Sequence, residues 1–167
     1  MSIRYFVAGL PRSRTAWLSV FLSQSGIYFY HDGFNGCHST NDYKDKISTG
    51  GDCSTGLTLI DINKEFPNAK IVIIKKNNKE INDCIKWCDE TYGGNSRKPI
   101  IDMQEKLLKI KGLVVDQSKI NKSLRKIWEY LLPEKWDDKY LNILNLNIQA
   151  DPFNIDYEAA RALHASI

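Results

Sequence analysis

The sequence has no long apolar run: nowhere in its 167 residues do about 20 apolar side chains follow one another, the length a membrane-spanning helix needs. A membrane partner is therefore not expected. It also has no large excess of one charge, since 23 Lys and Arg face 20 Asp and Glu and leave +3. That mild basic balance, spread along the chain, does not indicate nucleic acid, although it suits an anionic ligand. Histidines number three, and the four cysteines (Cys37, Cys53, Cys84, Cys88) include no C-x-x-C pair. Cys84 and Cys88 stand four apart, and His31 or His38 could join them around zinc. A lone C-x-x-x-C lacks the second ligand pair of a closed site, so no metal is expected. No leader-like segment precedes the first strand-like residues, so reduced thiols and a cytoplasmic location are expected.

What is present suffices for one sizeable core: 43% of the chain is hydrophobic, and its length predicts a single domain over residues 1–167. Residues 3–9 (IRYFVAG) read as a strand buried on both faces, followed by a helix over 14–25 with Trp17, Leu18, Phe21 and Leu22 on one apolar face. A short strand is expected at 27–32, ending in His31 and Asp32. Residues 33–56 are rich in Gly, Ser, Thr, Asn and Asp, and at most one helical turn (43–47) stands out. So long a segment in a small domain suits a substrate loop. A short strand at 57–61, a strong one at 69–76 and another at 112–116 follow. Helices are expected at 79–92, from Pro99 to about 110, and at 119–132, with a further one at 157–164 and an ambiguous stretch at 134–149. Alternating strands and helices imply the α/β class, with a central, mainly parallel sheet flanked by helices in three layers. The carboxyl ends of strands 3–9, 27–31 and 70–75 should converge on one pocket.

The segment AGLPRSRT joins the first strand to the first helix. It offers a helix N-terminus, hydroxyls and two guanidinium groups, each of which favours phosphate or sulfate. Against G-x-x-x-x-G-K-[ST] it carries Ala8, Ser13 and Arg14 where the glycines and lysine belong, so it is not a Walker A sequence.

The order Pro11, Arg12, Ser13, Arg14, Thr15, Ala16, Trp17 resembles the Pro-Lys-Ser-Gly-Thr-Thr-Trp loop of the sulfotransferases. The P-R-S-R-T form is similar to that of small sulfotransferase-like proteins from phages and bacteria. The resemblance implies a P-loop-type fold, a phage- or bacterium-encoded protein in the host cytoplasm, and 3′-phosphoadenylyl sulfate or adenosine 3′,5′-bisphosphate as bound nucleotide. It implies that Arg12 replaces the lysine facing the bridging oxygen, that residues 13–16 wrap the 5′-phosphate, and that Trp17 lies near the adenine. Arg14 departs from the family's glycine. A second segment, IVIIKKNNKEINDC, resembles the family's 3′-phosphate motif, Arg-Asn-Pro-x-Asp with a later serine. There Lys76 stands for the arginine, Asn77 for the asparagine, Asn78 for the proline, Glu80 for the aspartate and Cys84 for the serine. A third, GLVVDQSKINKSLRKIWEYLL, is similar to a structural segment of the family. The Arg-Lys-Gly loop of the larger cytosolic enzymes has no counterpart here.

Sulfuryl transfer from 3′-phosphoadenylyl sulfate to the hydroxyl or amine of a small molecule needs positive charge on the transferred group and a base for the acceptor proton. Arg12 and Arg14 supply charge, and His31 is the first choice of base because it ends a strand and titrates near neutrality. Asp32 and Asp52 come next. Lys75 and Lys76 cannot both face a pocket, because side chains alternate along a strand. Two other readings stand beside this one: a P-loop nucleotide kinase or phosphotransferase using Mg-ATP, and a non-catalytic nucleotide-binding protein.

Overall fold

The computed structural model describes residues 3–145; the expected helix at 157–164 lies outside them. Five strands, β1 (Tyr5–Gly9), β2 (Phe29–His31), β3 (Gly51–Ser54), β4 (Lys70–Lys75) and β5 (Leu113–Asp116), form one sheet of order β2-β3-β1-β4-β5. Every pairing is parallel, so all carboxyl ends share one edge. The helices are α1 (Thr15–Ser23), α2 (Thr40–Lys46), α3 (Ile62–Glu65), α4 (Asn78–Tyr92), α5 (Arg97–Lys109) and α6 (Ile120–Leu131).

Strand alternation divides the core in two. Val7, Cys53, Val72, Ile74 and Val115 point to one face and pack on α1, α6 and the 3-10 turn Asp138–Ile143. Phe6, Ala8, Ile71 and Ile73 point to the other and pack on α2, α3, α4 and α5. The chain steps from β1 outward to β2 across the first face, then returns through β3, β4 and β5 across the second. Direction and face reverse together, which keeps the hand of the crossovers constant. Helix α1 thus leaves β1 on one face while α4 leaves β4, its neighbour, on the other. The junction of their carboxyl ends is the topological switch point, the position at which ligands settle in open α/β sheets.

Three expectations need correction. The stretch 33–56 is not an open loop: it holds α2 and β3, and all four residues of β3 are buried. Its glycines mark close approach, since a Cβ on Gly51 would lie 2.5 Å from the Phe29 ring and 2.7 Å from Tyr5 O. Such a short polar strand is extended because it pairs on both sides, which no local pattern announces. Where a strand is expected at 57–61, Gly56–Leu59 forms a 3-10 turn, in which Leu57 is buried and Leu59 exposed. Finally, α1 has no exposed face: all nine residues are buried, because 138–143 covers it. Trp17 Nε1 donates to Ile143 O at 3.2 Å and Gln24 Nε2 to Tyr140 O at 3.0 Å. No helix among the described residues is long and apolar enough to cross a membrane.

Candidate anion-binding site

Between β1 and α1 the chain makes a turn in which two non-glycine residues take the left-handed conformation, Arg12 at φ 64° and Arg14 at φ 60°. Such backbone costs on the order of 1 kcal/mol or more at each non-glycine residue and persists only when its surroundings impose it. Arg14 is the N-cap, and its carbonyl accepts the first intrahelical bond, from Leu18 N–H at 2.9 Å. The N–H groups of Thr15, Ala16 and Trp17 therefore have no acceptor within the helix, and they stand at the positive end of its dipole. The turn folds tightly back on the strand: a Cβ on Gly9 would lie 2.8 Å from Ser13 Cβ. Ser13 Oγ is wholly buried there and has no hydrogen-bond partner among the described residues.

The two arginines are held differently. Arg14, half-buried, bonds through Nη1 to Asn121 Oδ1 at the start of α6, and its guanidinium lies 4.3 Å from the Trp17 ring centroid. Burial lowers its pKa from the ordinary value. Arg12 is exposed and its guanidinium lies 5.5 Å from the ring centroid of Trp87 on α4.

Lys76 is 2% exposed, whereas its neighbour Lys75 is exposed, as strand alternation requires. Its ammonium donates to Arg12 O at 3.1 Å and to Gln117 Oε1, while Gln104 Nε2 donates to Lys76 O at 2.8 Å. Burial lowers the Lys76 pKa, and Cys84 and Glu80 oppose the shift. Cys84 Sγ donates to Pro11 O at 3.3 Å, and burial pushes its thiol up to about 12. The second motif thus meets the first by tying down its backbone. Asn77 and Glu80 form the capping box of α4: Asn77 Oδ1 accepts from Glu80 N–H at 2.9 Å and Glu80 Oε2 from Asn77 N–H at 2.8 Å.

His31 stands beside the loop, its Nε2 3.3 Å from Thr15 Oγ1 and 3.5 Å from Asp32 Oδ2. Burial lowers its pKa, and the Asp32 carboxylate works against that. Asp52 lies elsewhere. It shares a sheet face with Phe6 and Tyr30 by register. It is 0% exposed, and both its oxygens are engaged, accepting from Gly33 N–H at 2.9 Å and Tyr43 OH at 2.7 Å. So placed, it braces α2 through Tyr43 and the backbone at Gly33, and it presents no oxygen to the surface. Trp17, 6% exposed and stacked on Phe21 at 5.3 Å, is core rather than a platform for adenine.

Burial raises the Asp52 carboxyl to about 6, with the bonds from Tyr43 and Gly33 opposing. Because an unfolded aspartate titrates near 3.9, the native state keeps its proton longer than the unfolded chain does. Stability contributed by this group is therefore lost as pH rises from about 4 to 6. Between pH 4 and pH 7.5 the wild type is expected to lose about 2 kcal/mol of stability that Asp52→Asn, which has no proton to release, does not lose. Urea unfolding of both proteins at the two pH values measures it, and a gap independent of pH would refute the assignment.

Gln117, Asn121 and Trp87 were not singled out by motif reasoning. Gln117 follows β5 at the carboxyl edge, a position that the α/β rule alone marks as worth inspection. Asn121 and Trp87 lie within helices and carry no local signal. The site is a strand-turn-helix unit at the switch point of a parallel α/β sheet, with unpaired first-turn N–H groups and two arginines whose chemistry suits an anion. No protein-family model matches this chain, and no curated protein matches it either.

Proposed function

We propose that the protein is a sulfotransferase-like enzyme of the P-loop type that holds 3′-phosphoadenylyl sulfate by its phosphates on the 11–16 loop. One observation carries the reading: the strained Arg12–Arg14 turn at the end of the central strand, whose conformation at Arg14 is the one glycine adopts freely, at the position where the family pattern has glycine. The orphaned Ser13 hydroxyl and the first-turn N–H groups fit the 5′ side of such a nucleotide, together with Pro11, Arg12, Arg14, Thr15 and Ala16. The nucleotide would supply an activated sulfuryl group. Arg12, exposed, places positive charge beside the transferred oxygens. His31 accepts the proton of a small-molecule hydroxyl or amine, and Asp32 stabilises the imidazolium that forms. Lys76 and Cys84 support the loop from behind, and the indole of Trp17 is left out of the nucleotide site.

A non-catalytic nucleotide-binding protein is the second reading, favoured by the internal bonds that already occupy Lys76 and Arg14. Calorimetric titration with adenosine 3′,5′-bisphosphate, ATP plus magnesium, and AMP separates the readings. Tight binding of the bisphosphate without metal, and sulfation of an acceptor by the protein, is the expected pattern. Bisphosphate binding without transfer to any acceptor supports the second reading, and Mg-ATP binding alone points to a kinase.

A further inference from the structure

Three polar residues from two segments meet beside the loop. Thr15 opens α1, His31 closes β2, and Asp32 follows in a left-handed conformation with φ 48°. Asp32 Oδ1 accepts from Ser54 Oγ, Thr55 N–H and Thr55 Oγ1 at 3.1, 3.0 and 3.3 Å. These bonds fix the carboxylate, whose other oxygen lies 3.5 Å from His31 Nε2. A carboxylate and a hydroxyl oxygen facing the same ring nitrogen select the tautomer that carries its proton there. Thr15, accepting that N–H, keeps its own hydroxyl proton for another acceptor.

We propose that His31 belongs to the anion cradle, acting through Thr15: its Nε2–H orients the Thr15 hydroxyl toward a tetrahedral oxyanion on the 11–16 loop, and protonation at Nδ1 tightens that anion. This rests on the anion-site reading of the loop and adds its regulation by pH. Asp32 is then a positioning residue that sets how readily His31 charges. The groups packed around the imidazole are Asp32 at the end of its own strand, Thr15 on α1, and the buried Cys53 paired with it on β3, with Asp52 on the far face of β3. Burial of the ring lowers its pKa and the Asp32 carboxylate raises it, so the charged form is gained on the acid side of neutrality. The same arrangement suits the proposed transfer, because a proton taken from the acceptor at Nδ1 would add positive charge beside the anion.

Inorganic sulfate is the probe, since it stays doubly charged from about pH 5 to 8 and brings no titration of its own. Calorimetry on the wild-type protein is expected to show sulfate affinity about fivefold or more higher at pH 5.5 than at pH 8. His31→Gln keeps an amide donor near Thr15 but cannot charge, so the step disappears. Asp32→Asn keeps an acceptor for Ser54 and Thr55 and tolerates the left-handed backbone; it moves the step to lower pH. Asp52 titrates at about 6 and is present in both variants, so a step that survives in His31→Gln belongs to another group and overturns the proposal. Equal sulfate affinity at both pH values overturns it while leaving the loop reading intact. No sulfate binding at any pH overturns both.

Discussion

Lys76→Met is expected to weaken binding of adenosine 3′,5′-bisphosphate by about a hundredfold and to lower stability by about 2–3 kcal/mol. The ammonium is the group that joins the end of β4 to the anion loop, through Arg12 O, and to the segment after β5, through Gln117. Methionine matches the stem but leaves both part-buried oxygens without this donor, and an orphaned buried acceptor costs about 1–3 kcal/mol. Relief from burying a charge offsets part of that sum. The left-handed backbone at Arg12 is held by this bond, so the loop loses both a nearby positive charge and its shape. Lys75→Met, one position away on the exposed face, is the control and should change stability by less than about 0.5 kcal/mol. Thermal unfolding and calorimetry of the two variants side by side give the result. Equal behaviour of Lys76→Met and Lys75→Met would show that the ammonium does not hold the loop.

The double substitution Arg12→Ala, Arg14→Ala should lower bisphosphate affinity by more than about a hundredfold, since charged donors to an anion contribute about 1.5–3 kcal/mol each. The single substitutions separate the two roles. Arg12 is exposed and rests on Trp87, so its loss should remove affinity with little change in stability. Arg14 is bound to Asn121 and Trp17; Arg14→Ala forfeits a hydrogen bond and a cation–π contact, about 2 kcal/mol together. It also leaves alanine in the same left-handed conformation. Arg14→Gly loses the same contacts but no longer strains the backbone, so it should be more stable than Arg14→Ala by about 1 kcal/mol. If glycine proves no better than alanine there, the φ of 60° does not describe a strained cap. Undiminished affinity in the double variant would sink the anion site itself.

Much of the candidate site's geometry was legible because its parts are local. A strand of β-branched residues, a turn carrying Pro11 and two arginines, and a helix opened by Thr15 lie within a few residues of one another. Their meaning as a strand-turn-helix cradle needs no long-range information. The pairing of His31 with that loop followed from the parallel α/β arrangement, which brings the ends of β1 and β2 to one edge. Asp52 could not be placed that way. A polar residue in a Gly-rich segment reads as exposed, and only the pairing of β3 between β1 and β2 turns it inward onto Tyr43. Trp17 stayed open in the sequence for the opposite reason: an aromatic near a binding loop is equally suited to the core, and only the segment 138–143, remote in sequence, buries it.

The sequence alone determined the α/β class, the identity of the strongest strands, the amphipathic helices α4 to α6, and the anion-favouring chemistry of the first turn. Periodicity and turn residues act within one element, so one element suffices to read them. The tertiary structure decided the strand order, the existence of β3, the inward place of Asp52 and the contacts that hold the turn. Arg14 meets Asn121 across 107 residues and Lys76 meets Arg12 O across 64. Contacts at such separations depend on which strands end side by side, a property of the whole packed sheet that no window of the chain contains.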